Sequence, residues 1–97
     1  MILHQFTEKF IQYIRNNGND PKNWYSGITN AIEQRFNEHS VNRKDDLHFY
    51  ADAQTESNAR YAEKFLIESL GTKGDTGGGD STTTWVYIYR IYPHTRQ

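Results

Sequence analysis

The segment Trp85-Val86-Tyr87-Ile88-Tyr89-Arg90-Ile91-Tyr92 is built almost wholly of aromatic and β-branched residues, and it constrains this chain more than any other stretch. Such residues suit a pleated, packed surface, so the segment predicts a strand that Pro93 terminates. Tyr87 and Tyr89 fall on the same face of it. A strand needs neighbours, and a chain of 97 residues supplies one domain's worth. A domain of this size buries roughly two-thirds of its unfolded surface, enough for one core without staples. With 7 Tyr, 5 Phe and 2 Trp against one Met and no Cys, that core must be aromatic.

The remaining elements follow from periodicity. Leu3, Phe6, Phe10, Tyr13 and Ile14 recur at helical spacing, and the turn formers from Asn16 to Pro21 stop that helix. Its apolar stripe calls for a sheet beneath it. Asn23 to Ile28 is short and aromatic, a second strand. Asn30 and Glu33 have capping-box spacing ahead of a helix that carries Ile32 and Phe36 and runs to about Ser40. Leu47, Phe49 and Ala51 alternate with polar or amphipathic residues, the pattern of a half-buried strand. Thr55 or Ser57 caps a third helix with Ala59, Ala62, Leu66 and Leu70 on one stripe, and Gly71 ends it. Gly71 to Thr84 is too rich in glycine for regular structure. The expected fold is α+β, a small three-stranded antiparallel sheet flanked by about three helices, in one domain over 1–97.

Several function classes are excluded. Without cysteine there is no disulfide, no thiolate zinc site and no cysteine nucleophile, which fits a reducing cytoplasm. His4, His39, His48 and His94 show no paired metal spacing, and no nucleophile elbow occurs. Gly77-Gly78-Gly79-Asp80 lacks the Lys-Ser/Thr of a phosphate loop. The N-terminus lacks signal-peptide character and no apolar run is long enough to span a bilayer, so a soluble protein with no membrane partner is expected. A net charge of −1 gives no global attraction to a polyanion.

Trp24 to His39 reads WYSGITNAIEQRFNEH, in which Tyr25-Ser26-Gly27 precedes Arg35 by ten residues and His39 lies one helical turn beyond Arg35. This wording resembles the GIY-YIG nuclease family. There, a strand bearing Tyr-Ile-Gly is followed by a helix bearing Arg and often His. The later segment RYAEKFLIESLG resembles the helix that presents the family's metal-binding carboxylate, with Glu63 in the matching place. Ser26 departs from the family's apolar middle residue, and no Gly-Ile-Tyr strand precedes Tyr25. Trp85 to Tyr89 resembles that missing strand, so a circularly permuted arrangement is expected, with the last strand pairing beside Trp24–Ile28.

The resemblance implies a metal-dependent phosphodiesterase acting on nucleic acid. Glu63 would hold a divalent ion, Mg²⁺ or Mn²⁺, which needs few protein ligands. Arg35 would stabilise charge on the phosphate. Tyr25 or Tyr87 would position or deprotonate water, the latter requiring a depressed phenol pKa, and Tyr89 is a rival for Tyr87's role. His39 would orient a tyrosine or share proton transfer. Each residue also has a plain reading: Arg35 and His39 as a solvated helix face, Glu63 as an exposed ion-pair position beside Arg60 and Lys64, the tyrosines as packing. A non-catalytic binding or interaction module of the same fold is the alternative, and a partner protein could supply nucleic-acid affinity.

Overall fold

The computed structural model describes residues 2–74 and 80–97. Gly77, Gly78 and Gly79 therefore lie outside the described residues. In chain order the elements are α1 (Leu3–Asn16), β1 (Trp24–Thr29), α2 (Ile32–Glu38), β2 (His48–Asp52), α3 (Glu56–Lys64) and β3 (Trp85–Arg90). The strands form one antiparallel sheet in the order β1-β3-β2, which is the expected small α+β architecture. The C-terminal strand lies in the middle, pairing Tyr25 with Tyr89 and Gly27 with Tyr87 on one side, and Tyr50 with Tyr87 on the other. Both faces of this strand are covered, Val86, Tyr87, Ile88 and Tyr89 all being buried, which explains why Trp85–Arg90 reads as a continuous aromatic and β-branched run.

Alternation gives the sheet two unlike faces. Trp24 and Ile28 of β1 and Val86 and Ile88 of β3 point to the face covered by α1 and α3. There they meet Phe6, Phe10, Ile11 and Ile14 of α1 and Ala59, Ala62 and Leu66, all buried. Phe10 meets Phe49 edge-on at 4.9 Å between centroids, and Tyr13 meets Trp24 the same way at 5.7 Å. Ile11 joins this core while Leu3 and Tyr13 are only half-buried, so the buried stripe of α1 is turned slightly from the expected one.

Three local expectations are corrected. Asn30 and Glu33 form no capping box: Ala31 occupies the N-cap without a side-chain cap, and Asn30 instead donates to Thr82 Oγ1 at 2.9 Å. Thr29 Oγ1 accepts from the Ala31 amide at 3.0 Å and takes over part of the capping. Helix α2 ends at Glu38, and Ser40, expected within it, sits in the left-handed region at φ 57°. The glycine-rich stretch is not wholly irregular either. Lys73 runs parallel to Tyr25, donating to the Trp24 carbonyl and accepting from the Ser26 amide, each at 2.8 Å. The cap at Thr55 and the left-handed Gly71 (φ 101°) stand as expected, although α3 continues through Phe65–Leu70 as a π-helix. No helix among the described residues is long and apolar enough to cross a membrane.

Candidate functional site

The other face of the sheet carries Tyr25 and Gly27 from β1 and Tyr87 and Tyr89 from β3. Helix α2 lies over it, pressing the fully buried Phe36 edge-on against Tyr87 at 5.4 Å. Gly27 is required here. A Cβ at this position would strike the hydroxyl and ring of Tyr87, its cross-strand partner, so glycine lets the phenol lie flat across β1. Ser26, on the opposite face, is fully buried and shares a 2.7 Å hydrogen bond with Thr72. The apolar residue expected at that position is thus replaced by a satisfied polar pair rather than by looser packing.

His39 caps the C-terminus of α2 and is 8 % exposed. Its Nε2 lies 3.0 Å from the Tyr87 hydroxyl. Its Nδ1 lies 3.0 Å from the Tyr89 hydroxyl and also contacts the Arg96 carbonyl, to which Tyr89 donates at 3.0 Å. A carbonyl only accepts, so Nδ1 carries the proton. Burial lowers the pKa of His39, opposed by the Arg96 carbonyl; Arg35 lowers it further and Glu38 raises it. The ring is therefore neutral at neutral pH, and Nε2 accepts from the Tyr87 hydroxyl.

The phenols shift the other way. Burial pushes Tyr87 up, reinforced by Tyr25, Glu63 and Glu38 and opposed by Arg35. Burial also raises Tyr89, helped by Tyr25 and Tyr87. A depressed phenol, needed if Tyr87 were itself the base, is the reverse of what its surroundings produce; Tyr87 is a protonated donor to His39.

The expected site residues relate to this hydroxyl in different ways, some by contact and some only through their charge. The half-buried Tyr25 packs its ring 4.9 Å from His39 and stacks on Tyr89 at 5.3 Å. Arg35 is exposed and pairs with Glu38 at 3.6 Å, a surface pair of small energetic weight, but its charge reaches both Tyr87 and His39. Glu63 stands on α3, which packs against β1, and is 3 % exposed. It is buried rather than exposed, and its carboxylate acts on Tyr87; on the surface of the same helix Arg60 pairs with Glu56 and Lys64 with Glu68. Tyr89 engages the opposite nitrogen of the same histidine.

Two contributors escaped the sequence reading. Glu38 acts on both Tyr87 and His39, and only its place next to His39 on α2 hinted at this. The Arg96 carbonyl is a backbone group, so no residue type could have signalled it.

For a divalent cation, the donor set favours a sparse shell. Among the described residues no group of three or more His, Cys, Asp or Glu stands together, so a closed protein cage does not fit. The buried Glu63 carboxylate would offer such an ion a single hard oxygen, the rest of its shell having to come from water and phosphate. Comparison with known proteins finds no matching family model, no similar curated protein and no similar solved structure.

Proposed function

We propose that the phenol–imidazole face is the centre of a divalent-metal-dependent phosphodiesterase of GIY-YIG type, acting on nucleic acid. The observation that supports it is convergence. The Tyr87 hydroxyl is bonded to His39 and feels Tyr25, Arg35 and Glu63, which arrive from β1, α2 and α3. His39, Tyr87 and Tyr89 have perturbed pKa values and are bonded to one another, and charged groups on separate elements act on them, a combination found at chemical sites.

In this reading each residue has a defined task. The half-buried Tyr25 phenol lies at the solvent side of the cluster and orients the attacking water. His39 Nε2 accepts the Tyr87 proton as the Tyr87 oxygen takes one from water, so neither phenol need be ionised at rest. Arg35, exposed on α2, offers a planar cationic fork to the phosphoryl oxygens. Glu63 would hold Mg²⁺ or Mn²⁺, which when bound supplies Lewis-acid stabilisation of the phosphate and leaving oxygen. Affinity for nucleic acid must come from local groups or a partner protein, since the net charge is −1.

The test is nicking of plasmid and branched DNA with Mg²⁺ or Mn²⁺. Glu63→Gln and Arg35→Ala should each lose on the order of 10²-fold in rate, as for other groups that stabilise charge in the transition state. Nicking that survives both substitutions would refute the site. The second reading, a non-catalytic binding module, is favoured by the burial that holds Tyr87 and Tyr89 protonated. It becomes the conclusion if no metal or substrate elicits cleavage.

A further inference from the structure

Beyond β3 the chain turns back on the site. Thr95 closes the turn, its Oγ1 accepting from the Tyr92 amide at 3.1 Å while its own amide donates to the Tyr92 carbonyl at 3.0 Å. His94 stacks on Tyr92 with centroids 5.6 Å apart, and its Nε2 meets Asp46 Oδ2 at 2.6 Å. That contact ties the segment to the loop before β2, because Asp46 also accepts from the Asn42 amide. The turn delivers Arg96 to His39 in a two-point clasp. The Arg96 amide donates to the His39 carbonyl at 2.7 Å, and the Arg96 carbonyl accepts from the ring of the same histidine. Both contacts are made by backbone, and Arg96 itself is exposed.

We propose that Tyr92–Arg96 is a positioning strap that selects the tautomer of His39. A neutral imidazole has one N–H, and either nitrogen can carry it. Two hydroxyls alone would not choose between them, since a hydroxyl both donates and accepts. The Arg96 carbonyl accepts only, so it places the proton on Nδ1 and turns Nε2 into the acceptor for Tyr87. Loss of the strap leaves both phenols in place and removes the reason for that choice. Arg96 is thus a positioning residue through its main chain, and its side chain is immaterial. The tautomer stands on the contacts alone; its consequence for cleavage rests on the phosphodiesterase reading above.

The test uses the full chain labelled with ¹⁵N at histidine, reading the ring nitrogens of His39 by two-bond ¹H–¹⁵N correlation at neutral pH. Wild type and Arg96→Ala should both show a pyrrole-like Nδ1 and a pyridine-like Nε2. Arg96→Pro, which lacks the amide of the clasp, should move the pair toward the Nε2–H form. His94→Ala, an exposed change that cuts the tie to Asp46, should move it the same way by less, which guards against a folding defect in the proline variant. An Nε2–H tautomer in wild type would overturn the proposal, as would an unaltered Nδ1–H tautomer in both strap variants. If the wild type nicks DNA, Arg96→Pro should lose roughly tenfold or more while Arg96→Ala does not, the scale seen for groups that orient a functional ligand. Absence of nicking in wild type would count against the phosphodiesterase, while the tautomer still decides the strap.

Discussion

The two faces of the sheet are built from alternate residues of the same strands, yet they do different work. On one, Trp24, Ile28, Val86 and Ile88 meet α1 and α3 in a hydrocarbon core with every one of those four side chains buried. On the other, Tyr25, Tyr87 and Tyr89 are held by ring contacts and by hydrogen bonds to one histidine. Apolar burial is non-directional and tolerates small shifts, so the first face chiefly confers stability. Hydrogen bonds need their geometry and cost more when one partner is lost than they contribute when made, so the second face specifies an arrangement. A single strand, β3, serves both. A fault on the stabilising face should therefore damage the site as well, whereas faults on the site face need not unfold the protein.

The largest expected effect breaks the stabilising face. Trp24→Ala removes a fully buried indole and should cost about 3–5 kcal/mol, a large part of the stability of a domain this small. Urea denaturation measures it, and a cost below about 1 kcal/mol, the level of a neutral surface change, would mean that the hydrocarbon face does not dominate stability.

Gly27→Ala probes the other face. Its new Cβ would lie 2.8 Å from Tyr87 Cε1, and Tyr87 is too enclosed to swing aside freely. Overpacking of this kind should cost about 1–3 kcal/mol and break the His39–Tyr87 hydrogen bond, visible in the His39 ring shifts. Retention of both stability and that bond would show that the close approach is not required.

The smallest effect is a pH dependence. Folding lowers the pKa of His39 from 6.5, so the unfolded chain binds a proton more readily than the folded one. The stabilising contribution is complete above 6.5 and is lost as pH falls through that value toward the lower folded pKa. Melting temperature should therefore drop more between neutral and mildly acidic pH in wild type than in His39→Gln. Equal drops would remove His39 as the origin.

Legibility in the sequence followed the range of the signal. The α+β class, the cap at Thr55 and the stop at Gly71 could be anticipated because each rests on local pattern. The β1–β3 pairing was expected only through the likeness of Trp85–Tyr89 to a missing first strand. The capping box at Asn30 failed because Asn30 found a partner, Thr82, from the other side of the fold. Glu63 looked like a surface residue amid Arg60 and Lys64, and its burial depends on where α3 lies against β1. The direction of the Tyr87 pKa was equally invisible, since it is set by enclosure under α2 and not by residue type.

By itself the sequence determined which residues could share a strand face or a helix stripe, including Tyr87 with Tyr89 and Arg35 one turn before His39. Only the tertiary structure decided which of those faces meet. Ser26 and Thr72 bond across 46 positions, Tyr87 and His39 across 48, and His39 and the Arg96 carbonyl across 57. The physical reason is that periodicity is imposed by backbone geometry within a few residues, whereas a hydrogen-bond partner or a desolvated environment is imposed by chain segments that become neighbours only when the whole core closes.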